Sequence, residues 1–370
     1  MTVRASSRTV VVEEIQVAAY TVPTDLPEAD GTLEWDKTTV VTVEVTAGGF
    51  TGLGYTYADT ATARLIKDLL GGVVRGRDPL DVNGAWMAMV RAIRNLGRPG
   101  IASTAIAAVD VALWDLKARL LDLPLVKLLG QVRDGIPVYG SGGFTSYSLD
   151  RLERQLADWV GEGIAQVKIK IGTYLGEDLA RVRAARHAIG PDSRLFVDAN
   201  GAYTRKQALE FAEEFARFGV TWFEEPVSSD DLEGVRLLRD RAPAGMDIAT
   251  GEYGYDLPYF RSMLQAGAVD VLQADASRCA GITGFLSVAG LCQAFGLPLS
   301  AHTAPSLHLA LCCAAPPVRH LEYFHDHVRI ESMIFDGAVK PVNGVLYPGL
   351  NRPGLGLELR KAEAERFRAA

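Results

Sequence analysis

Three short apolar runs recur in the middle of the chain: VKIKI at 167–171, LFVDAN at 195–200 and TWFEE at 221–225. Each run has the length and the β-branched or aromatic content of a buried strand, and a stretch of helical length separates it from the next. Strands that alternate with helices in this way form a parallel sheet, because each helix returns the chain to the start of the next strand. This repeat decides the fold class.

The same alternation continues on both sides of these three runs. It predicts eight strands, at 138–142, 167–171, 195–200, 221–225, 247–252, 269–275, 298–302 and 320–324, and seven helices, at 149–162, 178–189, 205–218, 229–242, 257–265, 282–295 and 306–314. No helix is predicted after strand eight. Because eight such strands close into a barrel, the predicted fold is α/β, a modified TIM barrel of the (β/α)7β type.

The first 130 residues follow a different pattern. Two strands at 10–19 and 38–45, joined by a long mobile loop over 21–37, precede three helices at 58–70, 82–95 and 101–122. Strands followed by helices indicate a separate α+β unit. The predicted domains are therefore an α+β domain at 1–130 and a barrel at 131–347, with a tail at 348–370 that packs back on the first domain.

The composition excludes several classes of protein. The chain has 370 residues, of which 48% are hydrophobic and 22% charged, as in soluble globular enzymes. A net charge of −7 without a basic run argues against a nucleic-acid partner, and no segment is apolar enough for a membrane. Residues 1–12 lack the apolar core of a signal peptide. The four cysteines show no metal-binding spacing, so we expect a reducing, cytoplasmic environment.

Carboxylates end three consecutive predicted strands. Asp198, Glu224 and Glu252 are about one strand-helix repeat apart, so their side chains should meet at the carboxyl end of the barrel, where barrel active sites lie. Three anions cannot all stay ionised in a low-dielectric site without a cation. Their oxygen atoms suit Mg²⁺, with Mn²⁺ as a substitute. The alternative is three unrelated carboxylates, each capping a helix or lying in solvent.

Two lysines end the second predicted strand. Lys168 and Lys170 are two residues apart, so they share one face of it. Side by side in the barrel mouth, they would lower each other's pKa, which suits one of them to act as a general base. They face the mouth only if Ile169 and its apolar neighbours pack against the helices. Otherwise the pair is solvated on the outer face.

A histidine and a carboxylate end two neighbouring strands on the opposite side of the barrel. Asp275 ends strand six and His302 ends strand seven, and a carboxylate beside an imidazole fixes its tautomer and raises its basicity. His302 and Lys170 could therefore address opposite faces of one substrate carbon. On strand eight, Glu322 is a candidate hydrogen-bond partner of a substrate oxygen; the alternative is a salt bridge to a loop arginine.

Other polar and aromatic residues are candidates for positioning a substrate. They are Asn200, Glu225 and Arg278 near the strand ends, Trp35 in the loop at 21–37, and His325 after strand eight. His327 lies in the same predicted loop as His325, and the sequence leaves open whether either reaches the site.

Taken together, these motifs resemble the mandelate racemase group of the enolase superfamily. The resemblance covers almost the whole chain. It rests on KIK at 168–170, DAN at 198–200, EEP at 224–226, GE at 251–252, DASRCAGIT at 275–283, His302, LE at 321–322, and, in the first domain, AAVDVALWD at 107–115 and KLLG at 127–130. It implies that the first domain caps the barrel and that the protein assembles into a homo-oligomer, a dimer or a larger ring.

The resemblance also implies a chemistry. Mg²⁺ on the three carboxylates and Lys168 would bind a substrate carboxylate, and Glu322 would bind its other oxygen. Lys170 and His302, the latter oriented by Asp275, would exchange the proton on the adjacent carbon through an enediolate. Loss of a β-hydroxyl then gives a 2-keto-3-deoxy acid, so an acid-sugar dehydratase acting on an aldonate or aldarate is predicted.

Two other functions remain open at this point. Return of the proton on the other face would make the protein a racemase or epimerase of a 2-hydroxy acid. A catalytically silent barrel that binds a metal or ligand is the third reading. The loop at 21–37 is rich in hydrogen-bonding groups, which favours a polyhydroxylated substrate and hence dehydration.

Overall fold

An antiparallel sheet of three strands opens the computed structural model, which describes residues 10–369. The strands are β1 (Glu14–Ala29), β2 (Glu34–Ala47) and β3 (Phe50–Tyr57), in that order. The long mobile loop predicted over 21–37 is wrong, since β1 and β2 stay paired, with a bulge between Pro23 and Glu28, almost to the turn. An edge strand tolerates proline because its outer N–H groups have no ladder partner.

Five helices follow the sheet and complete the cap. They are α1 (Thr60–Leu65), α2 (Gly71–Val74), α3 (Val82–Ala92), α4 (Ile101–Leu120) and α5 (Leu125–Leu129), with a π-helical segment, Ile66–Leu70, between α1 and α2. Helix α4 is buried along most of its length. It packs on β2 and β3 on one side and on the barrel on the other.

The sequence does not predict β3, because glycines interrupt its apolar pattern. A Cβ atom on Gly52 would lie 2.3 Å from the carbonyl oxygen of Ala112, and one on Gly54 would lie 2.1 Å from that of Ala108. The two glycines therefore let the alanine-rich face of α4 lie directly on the sheet.

Eight parallel strands form the predicted closed barrel. They are β4 (Ile136–Gly142), β5 (Gln166–Lys170), β6 (Arg194–Asp198), β7 (Val220–Glu224), β8 (Asp247–Thr250), β9 (Val271–Ala274), β10 (Leu299–Ala301) and β11 (Val318–Phe324). Each strand pairs with the next, and β11 pairs with β4 to close the ring. The α/β barrel with an α+β cap is thus confirmed.

Eight helices follow the eight strands of the barrel. They are α6 (Leu149–Gly161), α7 (Asp178–Ile189), α8 (Arg205–Ala216), α9 (Leu232–Arg241), α10 (Leu257–Gln265), α11 (Gly281–Phe295), α12 (Pro305–Ala314) and α13 (His325–Ile334). The expectation of no helix after strand eight is wrong. Helix α13 buries Asp326 and Glu331 as well as Ile330 and Ile334, so the apolar periodicity that would predict it is missing.

The chain after α13 adds short elements that contact both domains. They are β12 (Phe335–Asp336), β13 (Val345–Leu346), β14 (Glu358–Leu359) and α14 (Lys361–Ala364), before a 3-10 turn, Glu365–Phe367. Strand β13 pairs antiparallel with β4. Near the end of the tail, the backbone N–H of Ala369 donates to the carbonyl oxygen of Ala19 at 2.8 Å, and Lys361 forms an ion pair with Glu44.

The barrel interior is filled by a small aromatic and aliphatic cluster below the carboxyl ends of the strands. Its members are Tyr139, Phe196, Trp222, Ala249 and Val271. Because these side chains close the barrel axis, a site at the carboxyl ends has a packed floor. In the part of the chain that the structure describes, no helix is long and apolar enough to cross a membrane. Residues 1–9, for which no signal peptide is expected, lie outside that part.

A buried carboxyl group joins the cap to the barrel. Asp110 on α4 accepts hydrogen bonds from the backbone N–H and the hydroxyl of Thr283 on α11, at 2.9 and 2.7 Å. Gly281 allows this approach, since a Cβ atom there would lie 2.3 Å from a carboxylate oxygen of Asp110. Burial raises the pKa of Asp110 to about 7, although the hydrogen bonds from Thr283 oppose the rise.

We expect Asp110→Asn to stabilise the protein relative to wild type more at pH 8 than at pH 5. A carboxyl pKa that is higher in the folded than in the unfolded state contributes stability that is lost as pH rises from about 4 towards 7. The uncharged amide oxygen still accepts from the backbone N–H of Thr283, and the amide N–H group donates to the Thr283 hydroxyl. The difference between the two pH values approaches about 3 kcal/mol at most. Urea denaturation of both proteins at the two pH values measures it. An equal difference at pH 5 and pH 8 would contradict the raised pKa.

Candidate active site

The strand register brings the predicted site residues to one level of the barrel. Lys170, Asp198 and Glu224 are the last residues of β5, β6 and β7, and each is paired in register with the next. Glu252 follows the end of β8 by two residues, and Asp275 directly follows β9. The carboxyl ends of the strands therefore carry the charged groups.

Asp198, Glu224 and Glu252 form a buried cluster. Each offers a carboxylate oxygen within 4.8 Å of those of the other two, and Glu252 Oε2 is buried without a hydrogen-bond partner. Burial and the negative charge of Asp198 raise the pKa of Glu224 to about 8. Three converging oxygen donors with an excess of negative charge fit Mg²⁺. The same donors also accept Mn²⁺.

The two lysines point into this cluster. Lys168 Nζ lies 2.5 Å from Glu224 Oε1 and 2.8 Å from Glu322 Oε1. Lys170 Nζ lies 2.5 Å from Asp198 Oδ2. The lysines face the barrel mouth as predicted, because Ile169, on the other face of the strand, is fully buried in the main hydrophobic core. The solvated alternative for the pair therefore does not apply.

The expected mutual lowering of the lysine pKa values is outweighed. Burial lowers the pKa of Lys168, but Glu224 and Glu322 raise it well above the ordinary value. Burial also lowers the pKa of Lys170, as does the neighbouring ammonium group, but the charges of Asp198, Glu252 and Glu224 together raise it above the ordinary value. A divalent cation on the same carboxylates would oppose this attraction and make deprotonation of Lys170 easier.

His302 lies on the opposite side of the carboxylate cluster. Its Nδ1 is 2.9 Å from Asp275 Oδ2, and its Nε2 is 3.3 Å from Glu252 Oε2 and 3.6 Å from Glu322 Oε2. Burial lowers the pKa of His302, but the negative charges of Glu252 and Glu322 raise it to about 9. Asp275 thus orients the imidazole, while Nε2 faces the centre of the site.

A cavity of about 380 Å³ opens above these groups between barrel and cap. Among the predicted residues, its walls contain Lys170, Asn200, Glu252, Arg278, His302 and Trp35. Asn200 Oδ1 accepts a hydrogen bond from Lys170 Nζ at 3.0 Å, and Arg278 Nη1 donates to the carbonyl oxygen of Glu252 at 3.1 Å. The barrel mouth is therefore covered by cap residues, including Trp35.

Two of the predicted substrate-positioning residues lie outside this wall. His325 Nε2 is hydrogen-bonded to Asp25 of the cap at 3.1 Å, and His325 does not line the cavity. His325 is the first residue of α13, and from this position its side chain contacts the cap. Glu225 is buried beside the carboxylate cluster and accepts a hydrogen bond from Thr250 Oγ1 at 3.0 Å.

Several wall residues are not among the sequence candidates. They are Tyr57, Tyr253 and Thr303, the cap residues Lys37, Thr38 and Thr39, and His327, whose reach the sequence leaves open. Tyr57 ends β3, which is itself not predicted. The sequence places His327 five residues after Glu322, near the end of strand eight. Whether its side chain points into the cavity depends on α13, which the sequence does not predict.

Comparison with known proteins gives the family of the chain. Residues 13–130 match the family described as mandelate racemase / muconate lactonizing enzyme, N-terminal domain, and residues 151–364 match that described as enolase C-terminal domain-like. The chain belongs to the mandelate racemase group of the enolase superfamily. It is therefore a member of a superfamily of enzymes, and the two matches cover both its cap and its barrel.

Relatives of this mandelate racemase-group chain include acid-sugar enzymes. D-galactarolactone cycloisomerase of Agrobacterium fabrum is 30% identical over 93% of this chain and 95% of the relative. A mandelate racemase/muconate lactonizing enzyme-like protein from Rubrobacter xylanophilus is 54% identical, with a TM-score of 0.95 over 97% of this chain and 100% of that one. L-talarate dehydratase from Polaromonas, complexed with Mg and L-glucarate, is 30% identical, with a TM-score of 0.89 over 98% of both chains.

One carboxylate of the buried cluster, Glu224, is held from below by an indole. Trp222 Nε1 donates to Glu224 Oε2 at 2.9 Å inside the barrel. We expect Trp222→Phe to weaken Mg²⁺ binding about 10-fold or more, because the ring keeps its packing while the carboxylate loses the donor that orients it.

Titration of the metal-free enzyme with Mg²⁺ by calorimetry measures this effect. Trp114→Phe is the matched control, since Trp114 Nε1 donates to Thr283 Oγ1 at 2.9 Å, between cap and barrel. Equal Mg²⁺ affinities of the two variants would contradict a role for Trp222 in holding the ligand.

Proposed function

We propose that the chain is a Mg²⁺-dependent dehydratase of an acid sugar, an aldonate or an aldarate, which it converts to a 2-keto-3-deoxy acid. The observation that carries the proposal is the placement of two groups that can transfer protons. Lys170 and His302 line one cavity from opposite sides of the carboxylate cluster. Removal of a proton from one carbon and loss of a hydroxide from the next require a base and an acid, which this pair supplies.

Three kinds of group would bind the substrate carboxylate: the metal, an ammonium group and a hydrogen-bonding carboxyl group. Asp198, Glu224 and Glu252 would hold Mg²⁺, which would supply positive charge to stabilise negative charge that develops on that carboxylate. Lys168, fully buried beside Glu224, adds a fixed ammonium group. Glu322, close to both Lys168 and His302, is placed to hydrogen-bond the other carboxylate oxygen.

The two bases act on the neighbouring carbons. One of Lys170 Nζ and His302 Nε2 accepts the α-proton as the C–H bond breaks. The other donates a proton to the β-hydroxyl as that C–O bond breaks and water leaves. Asp275 keeps the imidazole in the tautomer whose Nε2 faces the substrate. The enol that remains loses its hydroxyl proton and gains a proton at C3, which gives the 2-keto-3-deoxy acid.

The same residues could instead return the proton to the opposite face of the α-carbon. The enzyme would then be a racemase or epimerase of a 2-hydroxy acid. The specific observation that favours this second candidate is the symmetric placement of the two bases. Dehydration is preferred because acid-sugar enzymes, a dehydratase among them, are among the relatives.

Proton NMR of the Mg²⁺-loaded enzyme in D₂O with a panel of aldonates and aldarates tests the proposal. We expect a new C3 signal in the methylene region from a 2-keto-3-deoxy acid, which carries one proton and one deuteron at C3 because the enol takes up deuterium from D₂O. Loss of the α-proton signal without the new C3 signal would instead show racemisation, epimerisation or another exchange reaction. No exchange with any acid of the panel would refute both functions and favour a silent barrel.

A further inference from the structure

His327 lies in the wall of the mouth cavity but takes no part in the proposed proton transfers. We propose that His327 Nε2–H is a neutral hydrogen-bond donor that positions a substrate hydroxyl remote from the two reacting carbons. The assignment rests on the proposed function for the nature of the substrate. The identity of the donor atom rests on the structure, through the hydrogen bond to Nδ1 and the position of His327 in the cavity wall.

The tautomer of His327 follows from its partner. The backbone N–H of Ala304 donates to His327 Nδ1 at 3.4 Å. A nitrogen that accepts a hydrogen bond carries no proton, so in the neutral ring the proton is on Nε2. Ala304 has φ +40° and precedes the first residue of α12, which fixes the direction of its N–H.

The ring is held firmly by aromatic neighbours. Tyr57 stacks on it with 3.4 Å between ring centroids and 8° between planes, and Phe324 meets it edge-on at 5.0 Å. Tyr57 Oη also donates to the carbonyl oxygen of His327 at 3.3 Å. A side chain fixed in this way loses little conformational entropy when it binds a ligand.

The unused nitrogen faces the cavity. His327 is 8% exposed and lines the same space as Lys170 and His302. Among residues 10–369, none makes a hydrogen bond to Nε2. Nε2 is not among the fully buried side-chain atoms without a partner, so it is open to the cavity and can donate to a ligand or a water there.

The surroundings of His327 favour a neutral ring. Burial lowers its pKa well below the ordinary value, with His302 and Arg278 acting in the same direction and Asp275 and Glu322 opposing them. His302 differs because Glu252 and Glu322 lie directly beside its Nε2. A neutral N–H suits a hydroxyl oxygen, whereas a second carboxylate would call for a cation.

The test compares two substitutions on a series of substrates. The probe is whichever of galactarate and D-gluconate the wild type exchanges faster in D₂O, together with its 4-deoxy and 5-deoxy derivatives. His327→Phe keeps the ring that stacks on Tyr57 but removes the donor. His327→Gln places an amide N–H near the position of Nε2.

We expect His327→Phe to raise KM for the parent acid about 10- to 100-fold, with a much smaller change in kcat for α-proton exchange. For one deoxy derivative the penalty should fall below about 3-fold, because that derivative lacks the hydroxyl that Nε2 binds. His327→Gln should recover part of the loss. His187→Phe, the same chemical change on the exposed side of α7, is the matched control and should retain the wild-type KM.

The outcomes separate this proposal from the proposed function. A penalty of equal size on the parent acid and on both deoxy derivatives would mean a structural role only and would overturn the assignment. So would a KM within 2-fold of wild type in His327→Phe. If the wild type neither dehydrates any acid sugar nor exchanges its α-proton, the proposed function fails, and the assignment fails with it. Thermal denaturation and Mg²⁺ titration of each variant show whether the barrel and its metal site are intact.

Discussion

His302→Asn and Lys170→Ala are each expected to lower the rate of dehydration by about 1000-fold or more. The reaction needs a base for the α-proton and an acid for the leaving hydroxyl. Positioned proton transfer by one side chain contributes about 10²- to 10⁴-fold to a rate. Because Lys170 and His302 lie on different strands at opposite sides of the carboxylates, neither can take over the other's place.

The two variants should differ in α-proton exchange. If Lys170 removes the proton, His302→Asn still exchanges it with D₂O but releases no water, whereas Lys170→Ala does neither. If His302 removes it, the pattern is reversed. Proton NMR in D₂O measures exchange and elimination in one experiment, so the pair of variants identifies the base.

Controls must show that the site survives each change. His302→Asn retains a side chain that can hydrogen-bond Asp275, while Lys170→Ala leaves Asp198 Oδ2 with only Lys168 Nζ, at 3.4 Å, as an ammonium partner. Mg²⁺ affinity is therefore measured for both variants, and His187→Asn on the exposed side of α7 serves as the histidine control. Unchanged turnover in both His302→Asn and Lys170→Ala would refute the paired-base mechanism.

The barrel and the metal cluster are predictable from sequence because both follow from local repeats. Parallel strands buried on both faces are continuous apolar runs, and the strand-helix repeat sets their spacing. Asp198, Glu224 and Glu252 end successive strands of that repeat. Once the barrel is recognised, their meeting at one end follows without any long-range contact.

Features that depend on long-range contacts are not predictable in the same way. Strand β3 has glycines where a strand usually has bulky residues, and only the position of α4 against Gly52 and Gly54 explains them. Helix α13 buries Asp326 and Glu331, so its sequence reads as a polar loop. The position of His327 in the cavity wall depends on that helix.

Charge balance at the site is also a property of the assembled structure. Lys168 beside Lys170 predicts lowered pKa values when only neighbours in sequence are considered. The fold adds Glu224, Glu322 and Asp198 from three other strands, and their attraction outweighs the repulsion between the lysines. Trp222, which orients Glu224 from inside the barrel, likewise gives no signal in the sequence.

Asp198→Asn is expected to abolish metal-dependent turnover at ordinary Mg²⁺ concentrations and to weaken Mg²⁺ binding by at least about 100-fold. The carboxylate is fully buried and is the strand-end neighbour of Glu224. An amide of the same shape removes one of three anionic ligands and leaves the packing in place. The change therefore acts on the charge that attracts Mg²⁺ rather than on the shape of the site.

Thermal denaturation with and without Mg²⁺ gives a readout that does not depend on activity. A ligand that binds only the folded state raises its stability by an amount set by the ratio of free ligand to Kd. Wild type should show a clear Mg²⁺-dependent rise in Tm. Asp198→Asn should show almost none at the same Mg²⁺ concentration.

Asp270→Asn is the matched control, because it makes the same chemical change at the other end of the barrel. Asp270 immediately precedes β9 and accepts a hydrogen bond from the backbone N–H of Ile248 at 2.9 Å. Carboxylates at the amino ends of barrel strands serve stability rather than catalysis. Asp270→Asn should lower Tm equally with and without Mg²⁺ and keep its turnover. If Asp198→Asn behaves like Asp270→Asn, the metal does not bind at the carboxyl ends of β6, β7 and β8.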